Sequence, residues 1–409
     1  MVYSNTPAAF NTINMKGVYS HVICLLLILC IFNGVGNAAE RSYLPDAGRY
    51  VRPMIAVLAE EDRGDYVCQL IEYSVDNSYT DCNGREIKDS ERIQGYLLVP
   101  DAACKGKCPA LVMLHDHGAR FDIGKEKLVR PIAGALPYGN NDHLYKSSLQ
   151  WTEKYFDGAY LADMLAAEGY VVLVSDACYW GERSSELAHR WSELTYGTPE
   201  QYSIQSDLSL DKPSRKVLLK ELKKSVYEGQ EDVYDDLGTK GIIWAEKILR
   251  DDIAAARLIA GLPYVDKKRV GAFGFSMGAH RCWLLAAFCR QVKYGVAVSW
   301  MTTLEDYDSN NPSDLSMRIQ PLRDYLDFGD IGMYLSPKPM LFLNGDTDPL
   351  FPKESVQTAF EKLHYHYDAC RKKSEKSAVC TQFFSGGHHC GKTVQQILLN
   401  YLATREAMK

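Results

Sequence analysis

Residues 269–285, RVGAFGFSMGAHRCWLL, form the stretch that decides the fold, with GFSMG (274–278) at its centre. The apolar residues at 270–273 predict a short buried strand, and the residues from Met277 onward predict a helix. Ser276 is therefore expected at a strand-to-helix turn.

The G-x-S-x-G spacing at this turn has a steric reason. A serine at so sharp a corner has a strained backbone, and glycines two residues before and after it let strand and helix approach closely. The pattern is that of a nucleophile elbow, which exposes a serine hydroxyl. Chance alone produces it in roughly one chain in seven of this length, so the strand, the helix and the downstream acid and histidine provide the support.

Composition narrows the class of protein. The chain has 409 residues, of which 46% are hydrophobic, as expected for one large α/β domain or two ordinary ones. A net charge of -6 gives no basic field to attract phosphates, so nucleic acid is not an expected partner.

The N-terminus predicts export. Lys16 is the only charged group before Glu40, and an apolar run at 22–32 is followed by small residues. The run is too short to span about 30 Å of hydrocarbon but suits a signal peptide. We expect residues 1–38 to be a cleaved signal of a secreted or periplasmic protein, without stable membrane association after cleavage; an uncleaved anchor is the alternative.

Twelve cysteines are present, and Cys24 and Cys30 would leave with the signal. The others would enter an oxidising compartment, where pairing is common. Candidate pairs by proximity are Cys68 with Cys82, Cys104 with Cys108, and Cys370 with Cys380. Cys282 and Cys289 cannot pair with each other, because seven helical residues rise about 10 Å.

Apolar runs alternate with helical patterns, which predicts a mostly parallel sheet with crossover helices. The predicted strands are 65–75, 93–99, 109–115, 170–175, 270–273, 296–300, 340–343 and 378–384, the first two at the sheet edge. The predicted helices are 154–168, 241–262, 353–365, one from Met277 and one from Thr393.

Residues from about 178 to 240 break this rhythm and predict a helical cap or lid inserted into the domain at 39–409. A surface excursion without a role in substrate selection is the alternative. Trp180, Trp191 and Tyr196, in or near this region, form either a wall for a sugar or the core of the cap.

The order of a serine, an acid and a histidine along the chain indicates the chemistry. A serine hydroxyl is a weak nucleophile until a base takes its proton, and the base needs a third group to orient it. Ser276 is followed by an acid after the strand at 340–343 and then by a histidine before the last helix. Asp346 and Asp348 both fit the acid, and His388 and His389 both fit the base.

These loops resemble those of the α/β-hydrolases. GFSMG, NGDTDPLFP and GGHH are similar to the three catalytic loops, and HDHG stands where the oxyanion loop HGxG is found. Within the superfamily, D-x-x-x-x-G-E-R at 176–183 and LPYVDKKRVGAFGFSMG most resemble the dienelactone-hydrolase and acetyl-xylan-esterase-like branch. The resemblance covers about residues 65–402 and implies an α/β-hydrolase fold, with a twisted sheet flanked by helices.

The resemblance also implies roles. It favours Asp348 over Asp346 and His388 over His389, and it places the oxyanion donors at the backbone N–H groups of Met277 and His117. Asp116, which replaces a glycine of HGxG, departs from the pattern, as does Ala279 after the elbow.

A metal site is the rival hypothesis for the histidines. His115 and His117 lie two residues apart at a strand end and can project to one side, and with Asp116, His388 and His389 they offer ligands. The H-x-H pattern alone is a weak signal, and no H-E-x-x-H accompanies it.

The sequence therefore predicts a secreted serine esterase that needs no cofactor. By analogy with the branch, a small-molecule or carbohydrate ester, such as an acetyl ester on a plant-type carbohydrate, is the expected substrate. A serine peptidase of the prolyl-oligopeptidase type is the second enzyme hypothesis, although no propeller domain precedes the triad. An inactive glycan-binding protein is the non-enzyme hypothesis.

Overall fold

A nine-stranded mixed sheet organises the computed structural model, which describes residues 55–80, 84–133, 142–197, 211–310, 315–319, 326–370 and 378–407. The predicted signal, residues 1–38, lies outside these ranges. Within them, no helix combines the length and the apolar character needed to cross a bilayer.

The strands follow the apolar runs of the sequence. They are β1 (Ile55–Asp62), β2 (Tyr66–Asp76), β3 (Tyr79–Thr80), β4 (Glu86–Ile87), β5 (Ser90–Pro100), β6 (Cys108–Leu114), β7 (Val171–Ser175), β8 (Val265–Phe275), β9 (Tyr294–Val298), β10 (Met340–Gly345) and β11 (Val379–Phe384). The order in the large sheet is β1-β2-β5-β7-β6-β8-β9-β10-β11, while β3 and β4 pair separately. From β7 to β11 all neighbours are parallel, and β1, β2 and β5 are antiparallel.

Helices cover the sheet. They are α1 (Asp142–Tyr155), α2 (Leu161–Ala167), α3 (Glu186–Tyr196), α4 (Lys212–Thr239), α5 (Trp244–Gly261), α6 (Met277–Phe288), α7 (Leu304–Asn310), α8 (Gly332–Leu335), α9 (Lys353–Cys370) and α10 (Lys392–Ala407). Two apolar clusters divide the core. One includes side chains of α5, α6 and α9, and the other includes side chains of α2 and α10. The predicted mostly parallel sheet with flanking helices is confirmed.

Two local predictions were wrong. The helix expected at 154–168 is interrupted at 156–160, because Asp157 and Gly158 both adopt positive φ (51° and 79°). Its first two residues belong to α1, which begins at Asp142, where no helix was predicted, and its second half is α2. Strand β1 was not predicted. It lies at the sheet edge with much of its surface exposed, although its first five residues, IAVLA at 55–59, are all apolar. The strands predicted at 65–75 and 93–99 are therefore not at the edge, because β1 pairs with the outer side of β2.

The region expected to form a cap contains α3 and α4, with residues 198–210 outside the described ranges. Leu194 of α3 and Leu222 of α4 form a small apolar cluster of their own. Further along α4, Val226 belongs to the main core, and its carbonyl accepts a hydrogen bond from the hydroxyl of Tyr179 at 2.9 Å. Trp180 is completely buried in that core, which favours the core interpretation over a sugar wall for this residue.

Two of the candidate disulfides are not formed. Cys104, Cys370 and Cys380 are exposed free thiols, so neither the Cys104 nor the Cys370 pairing is present. The third candidate involves Cys82, which lies outside the described residues.

Candidate active site

Ser276 joins β8 to α6 in a strained conformation, with φ 55° and ψ -126°. Its backbone N–H donates to the carbonyl of Val298 at 2.8 Å, which fixes the corner against the neighbouring strand. A Cβ on Gly274 would lie 1.8 Å from the carbonyl oxygen of Gly278, and one on Gly278 would lie 1.9 Å from that of Leu114. Real Cβ atoms do not approach so closely, so both glycines of the motif are required by the crossing of strand and helix.

Three side chains from separate loops converge at this corner. The hydroxyl oxygen of Ser276 lies 2.9 Å from Nε2 of His388, and Nδ1 of His388 lies 2.8 Å from Oδ2 of Asp348. The Asp348 side chain is completely buried, whereas that of His388 is 14% exposed. The arrangement joins a hydroxyl, an imidazole and a carboxylate in the order that activates a serine.

The loop after β10 distinguishes the two candidate acids. The second carboxylate oxygen of Asp348 accepts from the backbone N–H of Leu350 at 2.9 Å. Asp346 instead accepts from the backbone N–H of Gly386 at 2.9 Å, and its own N–H donates to the carbonyl of Phe384. Asp346 thus ties the acid loop to the histidine loop, while Asp348 contacts the histidine.

The two adjacent histidines face different surroundings. The ring of His388 packs against Phe275, with the centroids 4.9 Å apart, and near Phe351. Nε2 of His389 lies 3.2 Å from a carboxylate oxygen of Asp157, and its Nδ1 accepts from the N–H of Gly391. The structure therefore brings His388, and not His389, to Ser276.

The two positions predicted to supply oxyanion donors adjoin the same corner. Met277 is the first residue of α6, where a backbone N–H has no acceptor within the helix. His117 follows β6, which pairs with β8. The start of α6 touches this loop, because Gly278 meets the carbonyls of Leu114 and His115.

The structure does not support the metal hypothesis for His115. Its Nε2 accepts from the backbone N–H of Ala177 at 3.0 Å, and its Nδ1 lies 2.9 Å from the carbonyl of Asp116. Burial, reinforced by the charge of Arg281, holds the pKa of His115 well below its ordinary value. The imidazole is therefore neutral, and both of its nitrogens form hydrogen bonds with backbone groups. This histidine orders the loop.

A buried cluster of carboxylates lies behind the loop. Glu126, Asp176 and Glu182 each place an oxygen within 4.8 Å of the others. The ammonium of Lys125 lies among them, 2.8 Å from Asp176 and 2.9 Å from Glu126, and occupies the position that a cation would take. Burial and the charge of Glu182 raise the pKa of Asp176 to about 7.

An open groove borders the HDHG loop. Its volume is about 300 Å³, and it is lined by Ala119, Lys220, Lys223, Lys224, Tyr227 and Glu228. All of these except Ala119 come from α4. The groove therefore offers ammonium and phenol donors next to the loop that follows β6.

Sequence reasoning missed the buried lysines of this region. Lys125 and Lys127 are both completely buried, although lysine is almost never buried without partners. Their short KEK segment has no periodicity that would signal burial. The available signal was the pair of acids in D-x-x-x-x-G-E-R, because buried acids need a cation as a partner. The motif had been noted only as part of the family resemblance.

The sheet order, the elbow and the loops after β10 and β11 define an α/β-hydrolase. Residues 157–371, a little over half of the chain, match the sequence pattern of the dienelactone hydrolase family. The chain belongs to that family.

Individual relatives are distant. A provisionally named hydrolase of Bacillus subtilis (strain 168), YtaP, is 23% identical over 283 residues, which cover 68% of this chain and 73% of the relative. A provisionally named acetyl xylan esterase from Bacteroides fragilis has a TM-score of 0.52 and 16% identity, with 91% of this chain and 83% of that one covered. Glucuronoyl esterase from Solibacter usitatus has a TM-score of 0.52 and 9% identity, with 90% of each chain covered. At these identities the structural likeness concerns the fold alone.

Proposed function

We propose that the protein is a serine esterase that hydrolyses carboxylic esters through an acyl-enzyme. The observation that supports this most directly is the continuous contact from the Ser276 hydroxyl through both nitrogens of His388 to Asp348, at 2.9 and 2.8 Å. This contact supplies a nucleophile, a base and an orienting carboxylate without rearrangement.

The reaction proceeds in two halves. The Ser276 oxygen adds to the ester carbonyl as its proton passes to Nε2 of His388, and Asp348 stabilises the resulting imidazolium. The tetrahedral intermediate collapses, and the leaving alcohol takes the proton from His388. Water then adds to the acyl-enzyme by the same route and releases the acid. The backbone N–H groups of Met277 and His117 stabilise the oxyanion in both halves, and loss of one such donor typically costs about 3 to 4 kcal/mol.

For the substrate, we propose an acyl ester on a carbohydrate. Family membership favours a hydrolase, and two proteins with this fold are named for acetyl xylan and glucuronoyl esters. The groove beside Ala119 presents three lysines and Tyr227, which suit the hydroxyl-rich alcohol part of such an ester. We further propose that residues 1–38 direct the protein out of the cytoplasm, as the apolar run at 22–32 suggests.

The decisive variant is Ser276→Ala. We expect it to lose at least about 10³-fold in kcat on p-nitrophenyl acetate, with the circular dichroism spectrum and melting temperature retained. A fluorophosphonate probe should label the wild type at Ser276 and leave the variant unlabelled. Turnover that persists in the variant would rule out the mechanism.

The substrate class is tested separately. Acetylated xylan and pectin, assayed beside short p-nitrophenyl esters and peptide amides, should show ester cleavage without amide cleavage. Cleavage of amides at comparable rates would favour the peptidase hypothesis, and a wild type that neither turns over esters nor reacts with the probe would favour a binding protein.

A further inference from the structure

Lys127 is a buried cation that the proposed mechanism does not use. Its ammonium donates to two consecutive backbone carbonyls, those of Asp116 at 2.8 Å and His117 at 2.9 Å. It also lies 3.5 Å from a carboxylate oxygen of Asp116 and 5.0 Å from the ring centroid of Trp151. Burial lowers the pKa of Lys127, because an ammonium group loses its hydration in the interior.

The geometry of the peptide bond gives these two contacts a consequence. A peptide unit is planar and almost always trans, so its C=O and N–H point in opposite directions. A donor that holds the carbonyl of Asp116 therefore turns the N–H of His117 away from Lys127. The second bond, to the carbonyl of His117, does the same for the N–H of Gly118.

Two tryptophans hold the same loop. The indole N–H of Trp180 donates to the carbonyl of His117 at 3.2 Å, and that of Trp151 donates to the carboxylate of Asp116 at 3.1 Å. The Trp151 ring also fills the space where a side chain on Gly118 would lie, with its nearest atom 2.2 Å from a Cβ placed there. The loop is thus held through its backbone carbonyls and through the side chain of Asp116, the residue that stands where HGxG has a glycine.

The segment that contains Lys127 is itself anchored by D-x-x-x-x-G-E-R. A carboxylate oxygen of Asp176 accepts from the backbone N–H of Lys125 at 2.5 Å, and the other accepts from its ammonium at 2.8 Å. Gly181 has φ 57°, and a Cβ there would lie 2.1 Å from the Asp176 carboxylate. Arg183 donates to the Asp176 carbonyl at 2.8 Å. The motif therefore fixes the short 3-10 turn at 125–127.

We propose that Lys127 is a positioning residue for the oxyanion hole. Lys127 holds the carbonyls of Asp116 and His117 so that the N–H of His117 faces the reacting carbonyl. This inference rests on the proposed function, because it assumes that Ser276 generates an oxyanion. Lys127 contacts no reacting atom, and its effect is transmitted through the backbone of the loop.

The test is Lys127→Met, which keeps the length of the side chain and removes its donors. We expect kcat on p-nitrophenyl acetate to fall about 10- to 100-fold with KM changed less than about twofold, because an oxyanion hole acts on the transition state. The inhibition constant of phenylboronic acid, whose adduct with the serine hydroxyl is tetrahedral, should rise by the same factor. Amide hydrogen exchange at His117 and Gly118 should accelerate.

Lys338→Met is the matched control. The Lys338 ammonium also donates to two carbonyls, those of Ala286 and Cys289, at the far end of α6 from Ser276. This variant should lose stability but keep kcat and boronate affinity. A folded Lys127→Met whose kcat and boronate affinity lie within about threefold of those of Lys338→Met would overturn the proposal.

A second variant covers a failure of Lys127→Met to fold. Trp180→Phe removes the other side-chain donor to the His117 carbonyl, and it should lower kcat and boronate affinity together, at unchanged KM. Unchanged values would overturn the proposal. Failure of the proposed function gives a different result: a wild type that binds no boronate and reacts with no fluorophosphonate would show that Ser276 is not a nucleophile, whatever the exchange rates at the loop.

Discussion

Ser276 adopts a backbone conformation that side chains rarely occupy, at φ 55° and ψ -126°. Such a residue typically costs 1–3 kcal/mol and persists only where the surroundings enforce it. The enforcing contacts are the hydrogen bond to Val298 and the close packing at Gly274 and Gly278. The strain places the hydroxyl within reach of His388.

This strain predicts a difference in stability between two variants that lack the Ser276 hydroxyl. Ser276→Gly should be more stable to urea than Ser276→Ala by about 1 kcal/mol. Alanine is strained at this positive φ and glycine is not, and this strain outweighs the greater unfolded-state entropy of glycine. Both variants lack the hydroxyl, so its hydrogen bond cancels from the comparison. An alanine variant as stable as the glycine variant would show that the corner is not strained.

At this scale, the sequence allowed Ser276 to be singled out. Residue types and order alone left pairs of candidates for the acid and the base, and only the family resemblance favoured Asp348 and His388. Asp346 and Asp348 are both turn residues in one loop, and only the fold determines which carboxylate contacts the histidine. Lys127 was not found, because its partners are backbone carbonyls, which have no signature in the sequence.

The crossing of β6, β8 and α6 is the element on which the site depends. Gly278 allows the first turn of α6 to touch the carbonyl of Leu114 at the end of β6. Backbone atoms cannot move aside as a flexible side chain can, so the contact admits no larger residue. The same approach brings the HDHG loop beside the elbow.

Gly278→Ala should therefore destabilise the protein by about 3 kcal/mol or more, or prevent folding, through overpacking against backbone. Gly106→Ala is the control, because a Cβ at Gly106 meets nothing within 4 Å. Thermal unfolding of both variants provides the measurement. A Gly278→Ala protein that melts within 1–2 °C of the control would contradict the close approach.

Elements were predictable where apolar runs are continuous, as in β6 and β7, because a strand buried on both faces has no polar alternation. The end of α1 was missed, although the dipeptide Asp157-Gly158 beside it is a turn signal. Asp157 adopts positive φ there in a stretch whose apolar spacing continues smoothly from one helix into the next, so periodicity alone cannot reveal the break.

On the scale of the whole molecule, buried acids make stability depend on pH. Glu246 on α5 is 8% exposed, and burial, opposed by the charge of Arg250, raises its pKa to about 7. The folded state therefore holds this proton more tightly than the unfolded state. The contribution to stability is fully present below the unfolded pKa of 4.5 and is lost as pH rises to about 7.

Glu246→Gln should remove this dependence. At pH 8 we expect the variant to be more stable than the wild type by about 1–3 kcal/mol, and the difference should disappear near pH 4.5. Urea unfolding at both pH values measures it. Glu153→Gln, at an exposed site on α1, is the control and should show no such change. A constant difference between the two pH values would contradict the burial of a neutral acid.

The order of strands sets a limit on how the protein can be shortened. Strand β6 precedes β7 along the chain yet lies between β7 and β8 in the sheet, and the family match at 157–371 includes neither β6 nor His388. A fragment trimmed to the family boundaries would lack the interior strand β6 as well as His388. We therefore expect a fragment with these borders to be insoluble, and a deletion series to find no active piece that starts after Leu114 or ends before His388.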